Sequence, residues 1–134
     1  MEKKKQEESK RTMAKTLINC PSRYPISRKK IRLLVENILG DQSVDDKTEV
    51  SILFTGERKM RALNKTYRQK DLVTNVLSFP LKGTHFPDDI LRLGDIVICY
   101  PVAREEAGDN NIIVDEEIDR LVKHGVLSLL GLEE

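Results

Sequence analysis

An α+β domain, with a single mixed sheet and helices packed mainly on one face, is the fold that this 134-residue sequence predicts. Three observations carry that expectation. Strand-patterned runs are interspersed with amphipathic helical stretches along the chain. The connections are marked by Gly and Pro and vary in length, with no internal repeat. The length fits one core rather than two, and a hydrophobic share of 39% is enough to fill it.

Residues 1–14 are charged without a periodic apolar face and read as a disordered tail ahead of a single domain over 15–134. Thr16–Cys20 is patterned as a strand, and Pro21 and Pro25 interrupt the chain beyond it. Ser27 is a good N-cap for a helix over Arg28–Leu39, where Ile31, Leu34, Val35 and Ile38 form one stripe; Gly40 is the expected stop. Glu49–Thr55 alternates Val50, Ile52 and Phe54 as a strand, and Gly56 turns the chain into a helix over Glu57–Tyr67. Val73–Phe79 is a second such run, closed by Pro80. Residues 82–93 read as a loop with His85 in solvent, and Asp95–Tyr100 as the next strand. Pro101 opens a helix over Val102–Ala107, 108–111 is loop, and Asp115–Leu130 is the last helix, with Gly131 at its C′ position.

Composition narrows the function classes. With no Trp and 4% aromatics, a broad base-stacking platform is not expected, and nucleic-acid contact would rest mainly on charge and backbone groups. The net charge of +1 is unevenly spread. Residues 23–70 carry twelve basic and six acidic side chains, while 71–134 carry five basic and thirteen acidic. The first stretch suits phosphate; the second suits a cation or a solvated surface. Cys20 and Cys99 form no close pair, which fits a reducing compartment, and no apolar stretch approaches membrane-spanning length. The cytoplasm is the expected location.

Three segments carry the chemistry. In the last helix His124 offers an imidazole, its i+4 neighbour is Ser128, and Glu134 lies just beyond the Gly131 turn with a carboxylate. Two helical positions and one past the turn suit a metal site, although His124 reads equally well as a packed or exposed histidine. Arg68 offers a planar fork to phosphate, and a surface salt bridge with Asp71 is the plainer alternative. Lys65 and Lys70 flank it. Asp71, Thr74 and Asn75 could order the start of a strand through local bonds to the backbone. Ser78 has no histidine fixed beside it, and Asp95 is a backbone cap or a cleft-lining group.

Together, Leu63-Asn64…Tyr67-Arg68…Asp71…Thr74-Asn75-Val76-Leu77-Ser78-Phe79-Pro80, then Leu93-Gly94-Asp95-Ile96-Val97-Ile98 with Glu106-Ala107, then His124-Gly125…Leu127…Leu129…Gly131, resemble the YbeY family over about 16–134. The resemblance implies a metalloprotease-like α+β fold. It also implies metal-dependent cleavage of single-stranded RNA in ribosomal RNA maturation and ribosome quality control, with ribosomal RNA and ribosomal proteins as partners and no membrane. Its ending, H-G-x-L-H-L-x-G-Y-D-H, binds one zinc ion through three histidines. Carried over by position, these fall on His124, Ser128 and Glu134, so two imidazoles are replaced, and Leu132-Glu133 stand for Tyr-Asp. The family's functional arginine falls on Arg68. The resemblance thus implies Arg68 and His124 as catalytic, His124 and Glu134 as metal-binding, and RNA along Lys65, Arg68 and Lys70. The missing imidazoles favour a second expectation, an RNA- or ribosome-binding factor without turnover. A metalloprotease ranks last, because Gly125 stands where its general base would be.

Overall fold

The computed structural model describes residues 14–45, 47–81 and 89–132. Within them the chain forms β1 (Lys15–Asn19), α1 (Arg28–Asp41), β2 (Thr48–Thr55), α2 (Glu57–Arg68), β3 (Val76–Pro80), β4 (Leu91–Cys99), α3 (Tyr100–Asp109) and α4 (Val114–Leu129). The four strands make one sheet in the order β1-β2-β4-β3. β1, β2 and β4 are parallel, and β3 runs antiparallel to β4 on the margin. This is the mixed sheet that the alternating elements predict.

Strand alternation sorts the core into two layers. Val50, Ile52, Phe54, Ile96 and Ile98 pack with α1, α3 and α4 on one face. Leu77, Val97 and Cys99 meet Met60 of α2 on the other. Three helices therefore share one face and α2 has the opposite face to itself. Each fully buried large apolar side chain contributes about 1.5–3 kcal/mol, so the three-helix face holds most of the stability. Ala14 is buried in that layer as well.

The helix ends depart from the sequence reading in an instructive way. Ser27 caps α1 as expected, its hydroxyl accepting the Lys30 N–H at 3.3 Å. Gly40, however, is a buried helical residue, and α1 continues to Asp41. Ser43 takes the left-handed conformation instead (φ 57°). The Ser43 and Val44 N–H groups then close on the carbonyls of Gly40 and Leu39, each at 3.0 Å, and Val44 packs against the core. α3 likewise runs through Gly108 to Asp109 and stops at left-handed Asn111 (φ 55°). α4 ends as its sequence predicts. Gly131 (φ 74°) donates to Ser128 and Leu132 to Leu127, at 3.0 and 2.8 Å, which is the paired-bond stop that a left-handed glycine permits.

β4 starts at Leu91 rather than Asp95 because Leu91 and Arg92 pair with Thr48 and Glu49 before a bulge shifts the register to Gly94 opposite Val50. A Cβ on Gly94 (φ +140°) would lie 2.2 Å from the Phe79 carbonyl oxygen, so only glycine fits there. Gly125 of α4 is under a similar constraint from Ile96: a Cβ would meet its Cγ2 at 2.7 Å and its Cδ1 at 2.9 Å. Ile96 is wholly buried and β-branched, with little freedom to yield. Gly125→Ala is expected to lower stability by about 1–3 kcal/mol, as overpacking does; a urea midpoint unchanged from the parent would contradict this close approach.

Candidate nucleic-acid interface

α2 is strongly basic. Arg58, Lys59, Arg61, Lys65 and Arg68 stand on it, with Lys70 just beyond, while Met60 and Asn64 turn inward and are buried. Asn64 anchors its end. Its amide donates to the Leu72 carbonyl at 3.0 Å, and its backbone carbonyl accepts the Lys70 N–H at 3.3 Å around left-handed Gln69. Sequence reasoning gave Asn64 no role. The available signal was a polar side chain four residues after Met60, on the apolar stripe.

The salt bridge suggested between Arg68 and Asp71 does not form. Asp71 pairs with Arg61 at 2.8 Å, and that hydrogen bond holds the Asp71 carboxyl below its ordinary range. Arg68 instead donates through Nη2 to the Ser78 carbonyl at 2.6 Å. Its guanidinium lies 5.3 Å from the Phe79 ring centre, and Tyr67 meets the same ring edge-on at 5.2 Å. The carbonyl is available because of the register. Cys99 N–H bonds to Asn75 and Leu81 N–H to Leu93, so the residues bonded to β4 are 75, 77, 79 and 81. Val76 and Ser78 therefore turn their backbone groups outward, to the free margin of the sheet. Arg68 reaches this rim from the α2 face.

α4 lies on the other face. Ile118, Leu121, Val122, Gly125, Val126 and Leu129 bury its inner side, and Asp115 turns toward Lys30 of α1 at 4.0 Å. The remaining flank carries Glu117, Arg120, His124 and Ser128, within about 80° of arc. Two contacts fix where this flank lies. Glu117 is linked through Glu106 to Asn75 at the start of β3. At the far end Leu129 and Pro80 both abut Gly94. α4 and β3 thus run side by side over about 17–18 Å. By the same spacing His124 stands about level with Ser78. Ser78 shares a face with Val76, which packs in the α4 layer. His124 is exposed and Ser128 half-buried.

Arg68 therefore lies at the β3 rim on the α2 face, while His124 stands on the exposed flank of α4, the helix packed on the opposite face. Lys65 and Lys70 are exposed on the α2 side. Glu134 and His85 lie outside the described residues, as does the tail over 1–13. Among the described residues, no three His, Cys, Asp or Glu side chains come together as a metal site. Of the three positions expected to ligate a metal, the described residues hold two, the His124 imidazole and the Ser128 hydroxyl on the α4 flank; zinc takes three nitrogen, sulfur or carboxylate ligands from a protein.

The molecule is a mixed-sheet α+β domain with a basic helix beside its marginal strand. The comparisons assign the family: residues 5–134 match the model described as Endoribonuclease YbeY. Endoribonuclease YbeY of Staphylococcus aureus strain bovine RF122 / ET3-1 is 38% identical over 112 residues, covering 78% of this chain and 72% of the relative. That of strain JH9 matches equally. The solution structure of TM1509 from Thermotoga maritima superposes with a TM-score of 0.61 at 25% identity, over 88% of this chain and 73% of that one. The chain belongs to the YbeY endoribonuclease family. No helix among the described residues is long and apolar enough to cross a membrane.

The link between α4 and the start of β3 is also titratable. Arg120 grips the wholly buried Glu117 carboxylate at 2.9 and 2.6 Å and holds it below the usual carboxylate range. Burial pushes Glu106 up. Asn75, donating at 3.1 Å, opposes that rise, and the hydrogen bond to Glu117 adds to it. The two shifts act on stability in opposite senses. Glu117 contributes stability that is lost as pH falls below the carboxylate range. Glu106 holds a proton that the unfolded chain releases, so stability declines as pH rises from its ordinary value of 4.5. Glu106→Gln, which keeps both an acceptor and a donor, should abolish that decline and unfold at higher urea than the parent near neutrality. Parallel midpoints of the two proteins across this window would refute the upward shift of Glu106.

Proposed function

We propose that this protein acts on single-stranded ribosomal RNA as an endoribonuclease in ribosomal RNA maturation. The observation that supports this best is the β3 rim, where Arg68 holds the outward Ser78 carbonyl and keeps its charge; His124, exposed on the flank of α4, is the candidate base. One Arg68 nitrogen is occupied, and the remaining N–H donors of its fork are suited to a phosphate crossing the rim. Lys65 and Lys70 add positive charge along the approach.

With one imidazole left of the family's three, the proposed chemistry rests on the chain's own groups, and a metal held by His124 and Glu134 would add a polarised phosphodiester. Imidazole is the side chain best suited to proton transfer near neutrality. With a phosphate held at Arg68, the RNA 2′-oxygen attacks the adjacent phosphorus and its proton passes to the His124 imidazole. The bond from phosphorus to the 5′-oxygen breaks, and that oxygen leaves with a proton from solvent. A single strand is required, since a stacked duplex does not readily bring the attacking and leaving oxygens into line. Ribosome quality control, contact with ribosomal proteins and a cytoplasmic site of action belong to the same reading, and two free cysteines suit that compartment.

A second reading keeps the surface and drops the turnover: a ribosome- or RNA-binding factor. The replaced imidazoles at Ser128 and Glu134 favour it. Incubating purified protein with single-stranded ribosomal RNA fragments, with and without EDTA, separates the readings. The proposal expects cleavage that survives chelation and leaves 2′,3′-cyclic phosphate ends. His124→Ala should slow it by about 10²-fold or more, and Arg68→Ala should act mainly by raising KM. Cleavage abolished by EDTA would mean that a metal is recruited after all, and tight binding with no cleavage would establish the binding factor.

A further inference from the structure

α2 covers only part of its face of the sheet. Beside it lies an open groove of about 510 Å³, floored by Leu53, Phe79 and Val97 and walled by Leu63 and Tyr67, a size within the ~300–1,000 Å³ usual for ligand clefts. It starts at the β3 rim next to Arg68 and crosses β4 and β2 toward Asn19 of β1. Its contents are unusual for a surface hollow. Tyr67 is 57% exposed although it is a large aromatic, and Phe79 holds its ring edge-on. Asp95 is exposed in the groove, and its carboxylate makes no hydrogen bond or ion pair among the described residues. Lys59 on the α2 wall is likewise without an ion-pair partner among them.

We infer that this groove takes the bases of a single-stranded RNA whose phosphates lie on the α2 ridge, with Tyr67 stacking on one base and Asp95 accepting a hydrogen bond from a base amino group. It rests on the RNA-directed reading of the rim and names what that reading leaves open, the path of the strand and its base preference. Charge decides the occupant. The wall is basic, so a polyanion is attracted, and a lone carboxylate exposed within such a groove repels phosphate but suits a neutral group rich in donors. Cytosine, adenine and guanine present amino donors, whereas uracil does not. Aromatic stacking needs an exposed base face, which a single strand offers and a duplex hides. The path also explains how groups on opposite faces of the sheet can serve one strand: it folds over the β3 rim, with phosphate at Arg68.

The test uses the full chain, EDTA and fluorescence anisotropy with 5′-labelled 2′-O-methyl oligo(C), oligo(U) and a duplex of oligo(C) with oligo(G). Oligo(C) should bind several-fold more tightly than oligo(U), and the duplex less tightly than oligo(C). Tyr67→Ala should weaken oligo(C) binding roughly tenfold and Tyr67→Phe should restore it. Asp95→Ala should erase the preference for C over U. Unchanged affinity in Tyr67→Ala, a C-over-U preference that survives Asp95→Ala, equal duplex binding, or no binding by the parent would each overturn the inference. So would a change of sedimentation mass in Tyr67→Ala, which would make the groove a contact between copies. The methylated probe cannot undergo 2′-oxygen attack. Tyr67-dependent binding by an inactive protein would therefore sink the nuclease reading alone, and Tyr67-independent binding by an active one would sink the groove alone.

Discussion

The approach of α4 to the sheet at Gly125 and Ile96 is the constraint on which the rest of this structure depends. A missing Cβ lets the helix lie against β4 at a distance that no other residue permits, and once that distance is set the helix has no rotational freedom left. Its inner side fills the core, one flank turns to α1, and the other flank comes beneath β3. Gly94 sets the matching distance at the far end, where β3, β4 and Leu129 converge. The position of His124 is thus a consequence of two glycines rather than of any contact the imidazole itself makes.

The rim is built the same way from α2. The guanidinium of Arg68 is presented at the margin because Asn64 locks the end of the helix and because antiparallel register turns the Ser78 carbonyl outward. Arg61 takes up Asp71, leaving Arg68 without a competing carboxylate. A charge-assisted bond to a neutral carbonyl keeps the cation in place without neutralising it.

Much of this was legible in the chain. Period-2 and period-3.6 apolar patterns marked β2, α1 and α4, because burial on one face imposes them, and Pro101 marked the start of α3. Features set by partners distant in sequence were not legible. Gly40 and Gly108 read as stops, but left-handed Ser43 and Asn111 end those helices, since the stopping point of a helix depends on the packing of the residues after it. Leu91–Arg92 read as loop beside a Gly/Pro segment and became strand only by pairing with β2. At the site, the Arg68 partner was a backbone carbonyl, which leaves no trace in side-chain chemistry. The burial of Glu117, paired with Glu106 and Arg120 across two helices, was hidden within a run of acidic residues that resembles any solvated first turn.

The scaffold and the ligand set of this site are physically separable, and that explains how one has kept its form while the other has changed. Ser128 sits on the flank of α4 rather than in its core, so an imidazole there contributes coordination but little packing. The turn after the helix is held by the Gly131 conformation and by backbone bonds from Gly131 and Leu132, none of which needs a particular side chain at Leu132 or beyond. Nothing in the folding energetics therefore protects a metal set against substitution. The basic ridge and groove on the α2 side draw on Met60, Asn64 and the β3 register, and are equally independent of the α4 donors. A chain of this design can change its α4 donors and keep the basic ridge and groove on the α2 side intact.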